Sequence, residues 1–396
     1  MSGLVTVLGA AALALVAPGA VYLAALTAAA ASPTRREGDQ ARRGQPGDGG
    51  GGAPVRVVIV VPAHDESKGI LRTLRRLQAE VVDDAQARIV VVADNCSDDT
   101  AAVALSAGVD VLERTDPAHR GKGPALAFGF AACRDADWLV VVDADTDVEP
   151  GFLATMRRAM VAGADALQCR YVVRDAAGSH RAALADVAAG AWNVVRPRGR
   201  AALGLSVGIL GNGFALSRRT LQAVPYTASS IVEDVEYHQL LVRAGLRVRW
   251  VDDATVRGDV PSGRASAGQQ RARWEGGRLR LLVDRAPSLL RRALTQQWRL
   301  LDPLLDLCLL PLAWHVALLL VAALCGSWVV RGLSLAGLGV VALHVLLALV
   351  VMPARRPHLV ALLGVPFYVV WKLCLTGATW RAAARDAAWV RTPRDR

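Results

Sequence analysis

The chain has 396 residues, 53% of them hydrophobic, 5% aromatic and 20% charged, with a formal net charge of +11. That balance excludes a disordered chain and is too charged for a uniformly membrane-embedded one, so it implies a soluble domain joined to membrane segments. The basic excess suits nucleic acid, an anionic bilayer or an anionic substrate. Only three of the 46 basic residues are lysines (Lys68, Lys122 and Lys372), so where the arginines sit says more than their number.

No charged side chain occurs from Met1 to Thr34, and the apolar run Gly3 to Ala31 exceeds the roughly 20 residues a crossing needs. A signal peptide would need a basic region before a shorter run, so residues 1–34 are expected to be an anchor helix. Arg35, Arg36, Arg42 and Arg43 follow it, which places the next segment in the cytosol by the positive-inside rule. Residues 35–53 read as a Gly-rich linker.

Val55 to Val61 is a continuous β-branched run, the mark of a strand buried on both faces. A helix from Glu66 to Glu80 follows, then a strand from Ala87 to Ala93 and a helix from near Ser97. A strand over Val109–Leu112, a helix over Pro124–Cys133 and a strand over Trp138–Val142 continue the alternation. The pattern predicts an α/β fold with a mostly parallel sheet, occupying residues 54–260. Ligands bind such sheets at the carboxyl ends of strands. Polar runs stand at three of those ends: Pro62-Ala63-His64-Asp65-Glu66, Asp94-Asn95-Cys96-Ser97-Asp98-Asp99 and Asp143-Ala144-Asp145. A dinucleotide fold would carry G-x-G-x-x-G after the first strand, and this chain has acids there instead. Carboxylates approach a diphosphate only across a divalent cation, so Asp143 and Asp145 are candidate ligands for Mg²⁺ or Mn²⁺.

The segment 261–306 is basic and interleaved with apolar residues, nine arginines and two acids between Gly263 and Leu300, as in helices lying on an anionic leaflet. Beside an apolar block, a bilayer explains this better than nucleic acid does. A second amphipathic stretch, Ala183 to Val195, is followed by Arg196, Arg198 and Arg200. Residues 307–380 form the C-terminal membrane block. The uncharged runs 307–330 and 332–354 are each long enough to cross, whereas Pro357 to Trp380 contains Lys372 and Pro366 and is expected at the interface. The basic tail 381–396 then stays in the cytosol. The six cysteines show no metal-ligand or disulfide spacing and read as buried, reduced thiols.

Taken in order, Val-Pro-Ala-His-Asp-Glu (61–66), Val-Ala-Asp-Asn-Cys-Ser-Asp (92–98), Gly-Lys-Gly (121–123), Asp-Ala-Asp (143–145), Gly-Asn-Gly (211–213), Glu-Asp (233–234) and Gln-Arg-Ala-Arg-Trp (270–274) resemble the family 2 glycosyltransferases. These are inverting enzymes of GT-A fold, and the nearest branch looks like the membrane-bound cellulose, chitin, hyaluronan and poly-N-acetylglucosamine synthases. The resemblance implies that Pro62, Ala63, Glu66 and Asp94 surround the nucleoside, with Asp94 on the uracil edge. It places Lys122, Asp143, Gln270 and Arg273 at the nucleotide sugar, Asp143 and Asp145 on the metal, and Gly211, Asn212, Gly213 and Trp274 at the acceptor. Asp234 matches the catalytic base, with Glu233 beside it. Two positions depart from the pattern: Asp65 stands where asparagine is common, and Ile231-Val232 precede the acidic pair where synthases often have threonine.

The chemistry agrees with those roles. Displacing a nucleoside diphosphate builds negative charge on the leaving oxygens, which a metal and Arg273 can neutralise. The attacking hydroxyl needs a base such as Asp234. The implied function is transfer of a hexose or N-acetylhexosamine from a UDP-sugar to a lipid or membrane-associated glycan, giving a β-linkage. The chain would be a multi-pass protein of the inner (plasma) membrane with its catalytic domain in the cytosol and no nucleic-acid partner. A processive, extruding synthase is the alternative, and a homo-oligomer or an export partner would reconcile the two. An inactive scaffold conflicts with the full set of carboxylates, and a transporter with the lack of acids in the spans.

Overall fold

The β-branched run after residue 55 forms β1 (Val57–Ala63), whose Val57 to Val61 side chains are buried. The computed structural model describes residues 3–32, 55–175, 178–259, 263–351 and 356–384. The arginines after the first apolar run, the Gly-rich linker and most of the basic tail lie outside these residues. The chain forms two units. Among the described residues, one comprises Ser32–Arg174 and Ser206–Asp259, and the other Asp175–Leu205 with those before Ser32 and after Asp259.

In the sheet unit, β1 pairs in parallel with β2 (Ala87–Asp94), and β2 with β3 (Asp110–Arg114). On its other side β1 pairs in parallel with β4 (Trp138–Val141). After β5 (Asp147–Val148) and β6 (Ala166–Val173), β7 (Phe214–Ser217) runs antiparallel to both β4 and β6, and β8 (Val248–Gly258) runs parallel to β6. The order is β3-β2-β1-β4-β7-β6-β8-β5. The half predicted from the strand–helix alternation is wholly parallel, and beyond β4 the sheet is mixed. The Ile70–Val81 helix turns Ile70, Leu74 and Leu77 inward at helical spacing. It starts four residues later than the pattern suggests, because the Glu66 carbonyl first accepts from Gly69 and Ile70 in a separate turn.

In the helical unit, three helices are long and apolar enough to cross a membrane among the described residues: Gly3–Ala31, Trp328–Val351 and Arg356–Cys374. The run 307–330, expected to be one span, is broken. The helical stretches Trp298–Cys308 and Leu312–Cys325 meet at 80°. Pro311 has no N–H and disfavours helix at the residue before it, and Leu309 is already extended (φ −69°, ψ 106°). The second helix, 14 residues, reaches about 21 Å by itself, so the ~30 Å hydrocarbon core is crossed here only by the bent pair taken together as one broken span. Arg356–Cys374 passes by length and composition but is divided by a 3₁₀ turn at Leu362–Gly364.

Two further expectations change here. Arg196 and Arg200 are not interfacial: both are buried, in a cluster with Tyr22, Asp302 and Asp306. The Tyr22 hydroxyl donates to Asp302 Oδ1 (2.6 Å), Arg200 pairs with Asp302 (3.2 Å) and Asp306 (3.1 Å), and Arg196 pairs with Asp306. Arg278 adds a bond to the Asp306 carbonyl (2.6 Å), and the Arg196 guanidinium stacks 3.6 Å from the Trp192 ring centroid. The carboxylates that draw these arginines inward stand about a hundred positions along the chain. Among the cysteines, all free, Cys133 and Cys169 are buried, while Cys308 and Cys374 are exposed.

Candidate active site

Parallel pairing of β1 with β2 and β4 carries three polar segments to one end of the sheet. Asp94 closes β2 in register with Arg114, the last residue of β3. The Arg114 guanidinium donates to Asp94 Oδ1 (2.5 Å), to Asp116 (2.8 Å) and to the His119 carbonyl (3.0 Å). Asp94 is buried, so this partner keeps a carboxylate in place where an unpaired one would be costly. Pro62 and Ala63 end β1, opposite Val92 and Ala93. Glu66 gives its backbone N–H to Thr100 Oγ1 (2.7 Å).

The acidic residues of the two neighbouring loops brace each other. Asp65, in the left-handed region at φ +52°, accepts from Ser97 N (2.6 Å), and Asp98 accepts from Ser67 N (3.1 Å) and Thr100 N (3.0 Å). Burial alone would raise the Asp98 carboxyl, but its bonds from Thr100 and Ser67 outweigh that and hold it at about 2. With Cys96 these two acids place ligand atoms within 4.8 Å of one another. Their oxygens cap backbone N–H groups, which explains the cluster without an ion.

Asp143 and Asp145 follow β4. Lys122, the first residue of the Lys122–Ala132 helix, contacts Asp143 Oδ1 and donates to the Gly211 carbonyl (2.5 Å). Asn212 Oδ1 accepts from Asp143 N (3.1 Å), and its Nδ2 donates to Thr146 (2.8 Å). Asn212 is 1% exposed, and its amide holds the Asp-Ala-Asp turn. Gln168 in turn donates to the Asn212 carbonyl (2.8 Å) and accepts from Leu210 N (2.9 Å). Gly211 has φ +79°, and a Cβ there would stand 3.2 Å from Asp234 Oδ2. The motif's first glycine therefore permits both the turn and the approach of that carboxylate.

Glu233 and Asp234 open the Glu233–Arg243 helix, where the helix dipole favours negative charge. Asp234 Oδ1 accepts from Val235 N (2.8 Å). Burial first, and the neighbouring Asp234 next, push the Glu233 carboxyl up to about 8 against the opposing charge of Lys122. Burial would lower the Lys122 ammonium, yet the charges of Asp143, Glu233 and Asp234 prevail and raise it. Lys122, Asp143, Glu233 and Asp234 thus form one electrostatic group around Gly211. Asp143 and Asp145 offer an all-oxygen donor set suited to Mg²⁺ or Mn²⁺. The Lys122 ammonium shows that the Asp143 carboxylate already receives a cation.

Gln270, Arg273 and Trp274 belong to the helical unit, on the Arg264–Thr295 helix. Trp274 is 39% exposed, so its ring is not consumed by core packing. The residues that sequence reasoning missed are Arg114, Gln168 and Thr146. Only the strand register, which pairs Asp94 with Arg114, would have revealed the first of them.

Among solved structures the chain is similar to the mannosyltransferase PcManGT from Pyrobaculum calidifontis, in complex with GDP-Man and Mn²⁺. The identity is 18%, 96% of this chain and 100% of that one are covered, and the TM-score is 0.54. That likeness speaks to the fold, a GT-A α/β sheet with apolar helices. A mycobacterial protein (25% identity, 58% of this chain and 75% of that one, TM-score 0.43) is also similar. So is glucosyl-3-phosphoglycerate synthase from Mycobacterium tuberculosis with Mn²⁺, UDP and phosphoglyceric acid (20%, 65% and 80%, TM-score 0.41). No curated protein matches by sequence. The family model for glycosyl transferase family group 2 matches residues 138–373, from β4 and the Asp-Ala-Asp turn through Glu233-Asp234 into the C-terminal helices. With more than half its length in that match, the chain is a member of glycosyl transferase family group 2, and so a glycosyltransferase.

Proposed function

We propose that this chain is a membrane-bound, inverting glycosyltransferase that moves a hexose or N-acetylhexosamine from a UDP-sugar to a lipid or membrane-associated glycan. The observation that carries this reading is the convergence of Lys122, Asp143, Glu233 and Asp234 around Gly211 at the sheet edge, in a family member with span-length apolar helices. Residues 54–260 would be the catalytic domain, and the arginines after the first apolar run favour a cytosolic position for it, where nucleotide sugars are made.

Asp94, fixed by Arg114, presents an acceptor oxygen for an N–H on the edge of the base. Asp143 and Asp145 would hold Mg²⁺ or Mn²⁺, which when bound supplies Lewis-acid stabilisation of the leaving diphosphate. Lys122 reaches the same carboxylate and adds a second positive charge for the diphosphate. Asp234 accepts the proton of the acceptor hydroxyl at its carboxylate as that oxygen attacks the anomeric carbon. Burial and the neighbouring Asp234 favour the neutral form of Glu233, which limits repulsion of the donor. One base and one displacement invert the centre, so an α-linked donor gives a β-linkage. Gln270, Arg273 and Trp274 would serve the diphosphate and the acceptor ring. Three or four span-length helices suit a lipid acceptor better than a channel for a growing polymer.

The test is nucleoside diphosphate release by purified protein over a panel of UDP- and GDP-sugars with Mn²⁺, Mg²⁺ or EDTA. Mass spectrometry of the product separates glycolipid from polymer. No release from any donor overturns the reading, and release only from GDP-sugars overturns the base assignment.

A further inference from the structure

The last apolar segment has the length of a span and rests in part on the apolar Leu312–Cys325 helix, but both of its ends are tied to charged helices. At its start, His358 Nε2 lies 2.9 Å from Asp186 Oδ2, both buried; Asp186 belongs to the His180–Gly190 helix. Fourteen residues on, buried Lys372 contacts Glu275 of the Arg264–Thr295 helix. Neither partner helix is a candidate span. The first has 11 residues and carries Arg181 and Asp186, and the second is lined with arginines. A segment pinned at both ends to two such helices is held along them.

The contact with the longer helix is close and one-sided. A Cβ at Gly276 would stand 2.7 Å from the Thr379 carbonyl and 2.8 Å from Ala382, and one at Gly268 would stand 3.3 Å from Leu375 Cδ2. At 3.6 residues per turn, Gly268, Ala272, Glu275 and Gly276 fall within about 100° of one face. Gln270, Arg273 and Trp274 fall on the opposite face. The C-terminal segment therefore backs the helix whose front carries the Gln-x-x-Arg-Trp residues. The Lys372–Glu275 pair fixes the rotation and register of the two, the best-attested use of a buried polar pair.

We propose that residues 356–382 form a strap that does not cross the bilayer but braces this helix from behind, with Lys372 as a positioning residue for Arg273 and Trp274. The catalytic part of this proposal rests on the role given above to the Gln-x-x-Arg-Trp residues; the topological part does not. For the topology, the full chain is fused at its C-terminus to green fluorescent protein and, separately, to alkaline phosphatase in a bacterial host. Fluorescence without phosphatase activity is expected, and the reverse overturns the strap even if the protein proves to have no transferase activity.

For the positioning role, kcat per folded molecule and Tm are measured in lipid nanodiscs for Lys372→Met, Glu275→Gln and the exchanged pair Glu275→Lys/Lys372→Glu. We expect each single variant to lower kcat at least tenfold and the exchange to restore most of it. If the singles do not fold, the apolar pair Glu275→Leu/Lys372→Met carries the test, with the same tenfold loss at a Tm close to wild type. Unchanged kcat per folded molecule, or a loss that the exchange does not reverse in folded protein, overturns the assignment of Lys372.

Discussion

In the sheet unit, Lys122 and Asp143 meet with 24% and 29% of their side chains exposed, beside Glu233 and Asp234, at an edge where loops leave the strands. In the helical unit, Arg196, Arg200, Asp302 and Asp306 are 10% exposed or less, and their charges are spent on one another. The first group keeps a raised carboxyl and a lysine shared between a carboxylate and a carbonyl, an arrangement that a ligand can reorganise. The second group ties the first helix to residues 196–200 and 302–306 and leaves little to reorganise. Charge at the sheet edge is thus suited to chemistry, and charge among the helices to holding position.

The comparison can be broken by exchanging the expected outcomes. Asp234→Asn should lower the rate of nucleoside diphosphate release by about 10²–10⁴ with Tm unchanged, since it removes a positioned base and leaves the fold intact. Full activity in that variant would remove Asp234 from the mechanism. Asp306→Ala should do the opposite and cost stability, about 3–5 kcal/mol, because it leaves Arg196, Arg200 and Arg278 without their shared carboxylate. Thermal unfolding in detergent reads this, and a wild-type Tm would show that the cluster holds nothing.

Smaller effects sharpen the contrast. Lys122→Met should raise the donor KM by about 10–100-fold, the worth of a hydrogen bond to a charged group, and shift Tm little. An unchanged KM would place Lys122 away from the diphosphate. Glu233→Gln should act mainly through pH. The folded chain keeps a proton on Glu233 up to about pH 8, while an unfolded glutamate loses it near 4.5. The native state therefore binds more protons across that window, and its stability falls as pH rises through it. The variant should show a flatter Tm-against-pH curve between those values, and parallel curves would refute the shift.

The strands were legible because a run such as Val57 to Val61 can only be a strand buried on both faces, and the strand-end acids because they repeat. What stayed hidden was pairing across distance. Nothing local in the sequence says that Arg114 meets Asp94, which depends on the register between β2 and β3. Arg196 and Arg200 look like surface charge until Asp302 and Asp306 are brought to them. That the Asn212 amide serves Asp143 and Thr146 likewise shows only once those distant residues are brought together. The break in 307–330 was written in Pro311, but composition counts apolar residues and not backbone donors.

The helical unit is assembled from the two ends of the chain, and this sets an order of events. Tyr22 is bonded to Asp302 and Thr27 to His344, partners 280 and 317 positions later. At 5–20 residues per second of synthesis, the Tyr22 partner arrives about 15–60 s after Tyr22 itself. Thr27 can wait on its own helix, since its hydroxyl also reaches the Leu23 carbonyl at 2.6 Å. Tyr22 has no such local partner among its bonds, which run to Arg200 and Asp302. The first helix made is therefore among the last to be locked, and a ribosome that stops short of residue 302 leaves a complete sheet unit on an anchor that has not yet found its seat.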